Sequence, residues 1–106
     1  MATVPVTEAS FDAEVLGASL PVVVDFTAAW CPPCHAIDPS LEAISEELAG
    51  RVKIAKLDVD RDPEISARYG VRSMPTLMVF KNGEPTAMQV GAAPKNRLSD
   101  WIKGAI

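Results

Sequence analysis

The chain has two cysteines, Cys31 and Cys34, with only Pro32 and Pro33 between them. No other feature restricts the local fold so tightly, because two thiols three positions apart meet without moving the backbone only where that backbone is already turning. A disulfide needs Cα atoms roughly 4.4–6.8 Å apart, and the first turn of a helix satisfies this. Pro32 and Pro33 favour such a turn: each holds φ near the helical value and lacks an N–H that a helix start leaves unpaired in any case. The spacing therefore predicts a helix from Pro32 with Cys31 at its N-terminus. There the macrodipole and free N–H groups stabilise a thiolate, drawing a cysteine pKa from about 8.5 into a range of roughly 3.5–7.5. Cys31 reads as the nucleophile, and Cys34, turned inward by the helix, as the resolving thiol.

Two other uses of the pair fit less well. Tetrahedral zinc takes four ligands, and only His35 stands nearby as a third, so no metal is expected. A static disulfide closing so short a loop would restrict the unfolded chain little, which leaves reversible redox work. Two cysteines also suit a reducing compartment, since a secreted domain of this size usually carries more. Met1–Glu8 has no basic segment leading into an apolar one, and the longest apolar run, Leu20–Val24, is far too short to span a bilayer. The expected location is the cytoplasm. Ten basic against fourteen acidic residues give a net charge of −4 and a pI near 4.8. That balance opposes nucleic acid and anionic membranes and points to protein partners.

At 106 residues, 48% of them hydrophobic, the chain is expected to form one domain, 1–106. Thr3–Val6 is a short β-type stretch, and Thr7 or Ser10 is suited to cap a helix carrying Phe11, Val15 and Leu16, ended by Gly17. Val22–Phe26 is a β-branched run typical of a strand buried on both faces, and Asp25 is the anomaly in it. Its apolar neighbours argue for burial, which disfavours the charged carboxylate and raises its pKa. The helix from Pro32 should reach about Leu48 on the stripe Ile37, Leu41, Ile44 and Leu48, with a kink at Pro39 and a stop at Gly50. Val52–Val59 reads as a second central strand and Pro63–Tyr69 as a short helix. Asn82-Gly83 predicts a hairpin between Thr76–Lys81 and Thr86–Val90, and Leu98, Trp101 and Ile102 share one face of a last helix. The order is βαβαβαββα, an α/β fold with a central mixed five-stranded sheet flanked by four helices.

Phe26-Thr27-Ala28-Ala29-Trp30-Cys31-Pro32-Pro33-Cys34, together with Met74-Pro75-Thr76, Asn82-Gly83 and Val90-Gly91-Ala92, resembles the thioredoxin family over nearly the whole chain. The resemblance implies the thioredoxin fold. It makes Cys31 the attacking thiolate, Cys34 the resolving thiol, Asp25 a buried proton acceptor beneath them, Lys56 its neighbour, and Pro75 a cis-proline facing the cysteines. It also places Trp30, Met74, Val90, Gly91 and Ala92 along a shallow substrate groove, with Pro32 and Pro33 at its active-site edge. An exposed tryptophan beside the nucleophile suits such a protein-binding rim. The family's way of working implies disulfide-containing protein substrates, recycling by an NADPH-dependent thioredoxin reductase, a monomer, and no bound cofactor beyond the Cys31–Cys34 disulfide itself.

The chain departs from the common pattern at Pro32, normally Gly, at Thr27, often Trp, and at His35, where Lys is frequent. Its Cys-Pro-Pro-Cys form is similar to that of tryparedoxins and nucleoredoxins. His35 is expected to point to solvent without a catalytic role, and Asp38 reads as a solvated acid. The resulting expectation is a protein disulfide reductase working through a mixed disulfide. A binding subunit that keeps its cysteines as passengers, or an oxidant or isomerase of the same fold, are the rivals.

Overall fold

The computed structural model describes residues 3–106. Met1 and Ala2, the start of the segment read for a leader, lie outside the described residues. Five strands form one sheet in the order β1-β3-β2-β4-β5: β1 Val4–Val6, β2 Val22–Thr27, β3 Lys53–Asp58, β4 Thr76–Lys81 and β5 Glu84–Val90. Strands β1, β3 and β2 are parallel, whereas β2–β4 and β4–β5 are antiparallel. The helices are α1 Glu8–Phe11, α2 Pro32–Glu47, α3 Pro63–Arg68 and α4 Lys95–Ala105. The family-type α/β fold expected from the sequence is the one observed.

Local chemistry accounts for most boundaries. Thr7 caps α1 in a reciprocal box with Ser10, which satisfies two of the donors a helix start leaves over. Beyond Phe11 the helix widens into a π-helical segment, Asp12–Leu16, and the Gly17 N–H reaches back five residues to the Asp12 carbonyl. Asn82 and Gly83 both take positive φ, 54° and 81°, the geometry a two-residue hairpin turn needs to match the strand twist. β5 starts two residues before the expected Thr86 and takes in Pro85. Pro is tolerated there because β5 is an edge strand, and the register slips at Val79/Phe80 opposite it. α2 runs through Pro39 to Glu47, close to the expected end at Leu48, held by the apolar stripe it buries.

The sheet divides the core in two. Val22, Val24, Phe26, Ala55, Leu57, Met78 and Phe80 face Phe11, Val15 and Ile65, and the two cysteines belong to this cluster. On the other face Val23, Ile54, Leu77 and Val79 pack against Ile37, Leu41 and Ile44 of α2 and Leu98 and Ile102 of α4. Because side chains alternate along a strand, Asp25 shares its face with Val23, and Lys56 shares its face with Ile54. Both therefore lie on the face that α2 covers.

Candidate active site

Cys31 occupies the cap position of α2 in extended backbone, and the two prolines fill the first two helical positions. A disulfide joins Cys31 to Cys34, with Cα atoms 5.3 Å apart. The Cys34 N–H donates to Cys31 Sγ at 3.2 Å, so a donor already faces the sulfur that would carry negative charge after reduction. Cys34 is wholly buried and Cys31 nearly so, whereas Pro32 and Pro33 are exposed.

Asp25 lies between Lys56 of β3 and Leu77 of β4 in the strand register. It is completely buried, and neither carboxylate oxygen has a hydrogen-bond partner among the described residues. Burial pushes its carboxyl up from 3.8 to about 7; the Lys56 ammonium pulls it down and Asp38 pushes it further up. Lys56 does not pair with Asp25. Its Nζ sits 2.9 Å from Asp38 Oδ1, and both side chains are half-buried. Asp38 is thus no freely solvated acid, contrary to its reading in the sequence, because α2 lays it over the β3 lysine. His35 is exposed but engaged: its Nε2 is 2.7 Å from the Ala29 carbonyl and its Nδ1 is 3.7 Å from Asp38 Oδ2.

The Met74–Pro75 peptide bond is cis. Met74 packs against the cluster that holds both cysteines. The Gly91 N–H donates to the Pro75 carbonyl at 2.8 Å, and Val90 pairs with Thr76 across the β4–β5 ladder. Met74, Pro75, Val90 and Gly91 are thereby brought together at one end of the sheet. Gly91 has φ +95°, which a side chain would strain. Val90 is 57% exposed and Trp30 63%, and Ala92 is exposed beyond them. The Trp30 indole donates to Asp60 Oδ2 at 2.6 Å, which fixes the ring at the surface. Among the described residues no three His, Cys, Asp or Glu side chains stand together to hold a metal ion, and no helix is long and apolar enough to cross a membrane.

The thioredoxin family model matches residues 2–104. Thioredoxin from Rickettsia felis is 50% identical over 101 residues, covering 95% of this chain and 96% of the relative. Thioredoxin from Synechocystis sp. is 46% identical over 102 residues, 96% of this chain and 95% of its own length. The chain belongs to the thioredoxin family. With its cysteines joined across the first turn of α2, it is a thiol–disulfide oxidoreductase.

Within this thioredoxin site, sequence reasoning overlooked Asp60 and misjudged Asp38, which pairs with Lys56 rather than with solvent alone. Nothing local marks Asp60 as the partner of Trp30, which lies 30 residues away along the chain. Asp38 carried a signal in its place four residues after Cys34 on one helix face.

Proposed function

We propose that the chain is a protein disulfide reductase in which Cys31 attacks, Cys34 resolves and Asp25 moves the proton. The observation that carries this reading is the Cys31–Cys34 disulfide at the helix start combined with a buried, unpartnered carboxylate on the face under α2. In the reduced protein the Cys31 thiolate attacks one sulfur of a substrate disulfide; a bond forms between the two sulfurs and the other substrate sulfur leaves as a thiolate. Cys34 then gives its proton to Asp25, directly or through a water. The Cys34 thiolate attacks Cys31 Sγ, closing the internal disulfide and releasing the second substrate thiolate. Two electrons pass to the substrate, and the proton on Asp25 returns to solvent or product.

The exposed Trp30 and Val90, with Met74, cis-Pro75, Gly91 and Ala92, make an apolar rim suited to an extended segment of a disulfide-containing protein. Pro32 and Pro33 present the attacking sulfur at its edge. Lys56 modulates Asp25 through its charge. Likeness to the relatives supports recycling by an NADPH-dependent thioredoxin reductase, and supports a monomeric, cytoplasmic, single-domain protein with no cofactor other than its own disulfide.

Reduction of insulin disulfides tests the roles. Cys31→Ser abolishes turnover, whereas Cys34→Ser still attacks and accumulates a mixed disulfide visible by mass spectrometry. Wild-type activity in both variants overturns the assignment. Titration of the dithiol against glutathione buffers sets the direction, because a potential far above the cytosolic poise would make the protein an oxidant.

A further inference from the structure

The arrangement around Asp25 is unusual in one respect. Lys56 is its register neighbour on the adjacent parallel strand, and adjacent strands run only about 4.8 Å apart. A free ammonium so close to a buried carboxylate would ordinarily pair with it and hold it ionised. Instead, the Lys56 ammonium is held 2.9 Å from Asp38 Oδ1, and both Asp25 oxygens are left without a hydrogen-bond partner among the described residues.

We propose that Asp38 is a positioning residue for the exchange reaction: by binding the Lys56 ammonium it keeps that cation off Asp25 and so preserves Asp25 as a proton acceptor. The inference rests on Asp25 being the base. Lys56 from β3 and Asp38 from α2 are the charged groups that act on Asp25, and β4 contributes Leu77 in register. On its outer side Asp38 has the exposed His35 ring, 3.7 Å away. Two effects of Asp38 act in the same direction. Its own negative charge disfavours a second carboxylate nearby, and it neutralises the cation that would favour one. Both keep the Asp25 carboxylate basic enough to take a proton from a thiol near neutral pH.

The test is Asp38→Asn, which keeps the shape and removes the charge. Two quantities are read: the midpoint of the Asp25 carboxyl carbon titration by NMR in the oxidised protein, and the pH profile of mixed-disulfide resolution in single turnover. The titration midpoint falls by on the order of half a pH unit or more, and the acidic limb of the resolution profile moves down with it while its plateau drops. Asp38→Glu restores both. Since Asp38 acts largely through the lysine, the shift caused by Asp38→Asn shrinks in a Lys56→Met background. A midpoint that stays at the wild-type value, or moves equally with and without Lys56, overturns the inference. A midpoint that moves as expected while resolution is unchanged shows that Asp38 sets the charge of Asp25 but overturns its role in the exchange, and with it the reading of Asp25 as the base.

Discussion

The two faces of the sheet are built from the same strands and used for different ends. On one, Phe11, Tyr69 and Phe80 close the core as a tilted and edge-on trio with ring centroids 5.1–5.9 Å apart. On the other, the row that begins with Val23 continues with Asp25, and the row that begins with Ile54 continues with Lys56. The core of the first face is a hydrophobic cluster, and its cost and benefit are chiefly those of packing. The second places Asp25 in the core without a hydrogen-bond partner among the described residues, which opposes folding once that group is charged. On the proposed mechanism a buried thiol needs such a group as its proton acceptor, and the hydrophobic face supplies stability against which it can be held.

Removing an aromatic from the apolar face should have the largest effect on stability. Phe80→Ala should cost about 3–5 kcal/mol, since Phe80 is buried against Phe11 and Tyr69. Urea unfolding measures this, and the pH profile of resolution in the folded fraction should not move. A displaced profile would show that the two faces are not separable.

Asp25→Asn tests the other face. The folded carboxyl titrates at about 7 against 3.8, so folding favours its protonated form. That advantage is fully present below the unfolded value and is lost as pH rises through about 7. The stability of Asp25→Asn relative to wild type should therefore grow between pH 4 and pH 8, by on the order of 4 kcal/mol. Urea unfolding of the oxidised proteins at both pH values gives the difference, and a constant gap would mean that Asp25 is not carrying a raised pKa. The same variant should slow mixed-disulfide resolution near neutral pH roughly a hundredfold.

The smallest effect separates the two lysines of β3. Lys53 binds Glu14 at 2.6 Å on the sheet's rim, and Lys53→Met should cost about 0–1 kcal/mol and leave the resolution profile unchanged. Lys56→Met should instead raise the midpoint of the Asp25 titration, because the ammonium it removes pulls that carboxyl down. Equal behaviour of the two variants would mean that position in the strand, rather than closeness to Asp25, decides what a lysine does here.

Features that depend on near neighbours were legible in the sequence. The helix start at Pro32, the meeting of Cys31 with Cys34, the Asn82-Gly83 turn and the burial of Asp25 within Val22–Phe26 all follow from residues a few positions apart. At that range backbone geometry and hydrophobic periodicity leave few alternatives. The choice Lys56 makes between two carboxylates was not legible. Asp25 reaches it through strand register and Asp38 through the seating of α2 on the sheet, and no local pattern ranks one distance against the other. Trp30 likewise found Asp60 only once β3 had been laid beside β2. Sequence alone thus determined which groups could do chemistry, because reactivity and local turning are properties of residues and their neighbours. Which charges stand next to them was decided by tertiary packing, because Coulomb interactions depend on separation in space and on burial, and the folded chain sets both.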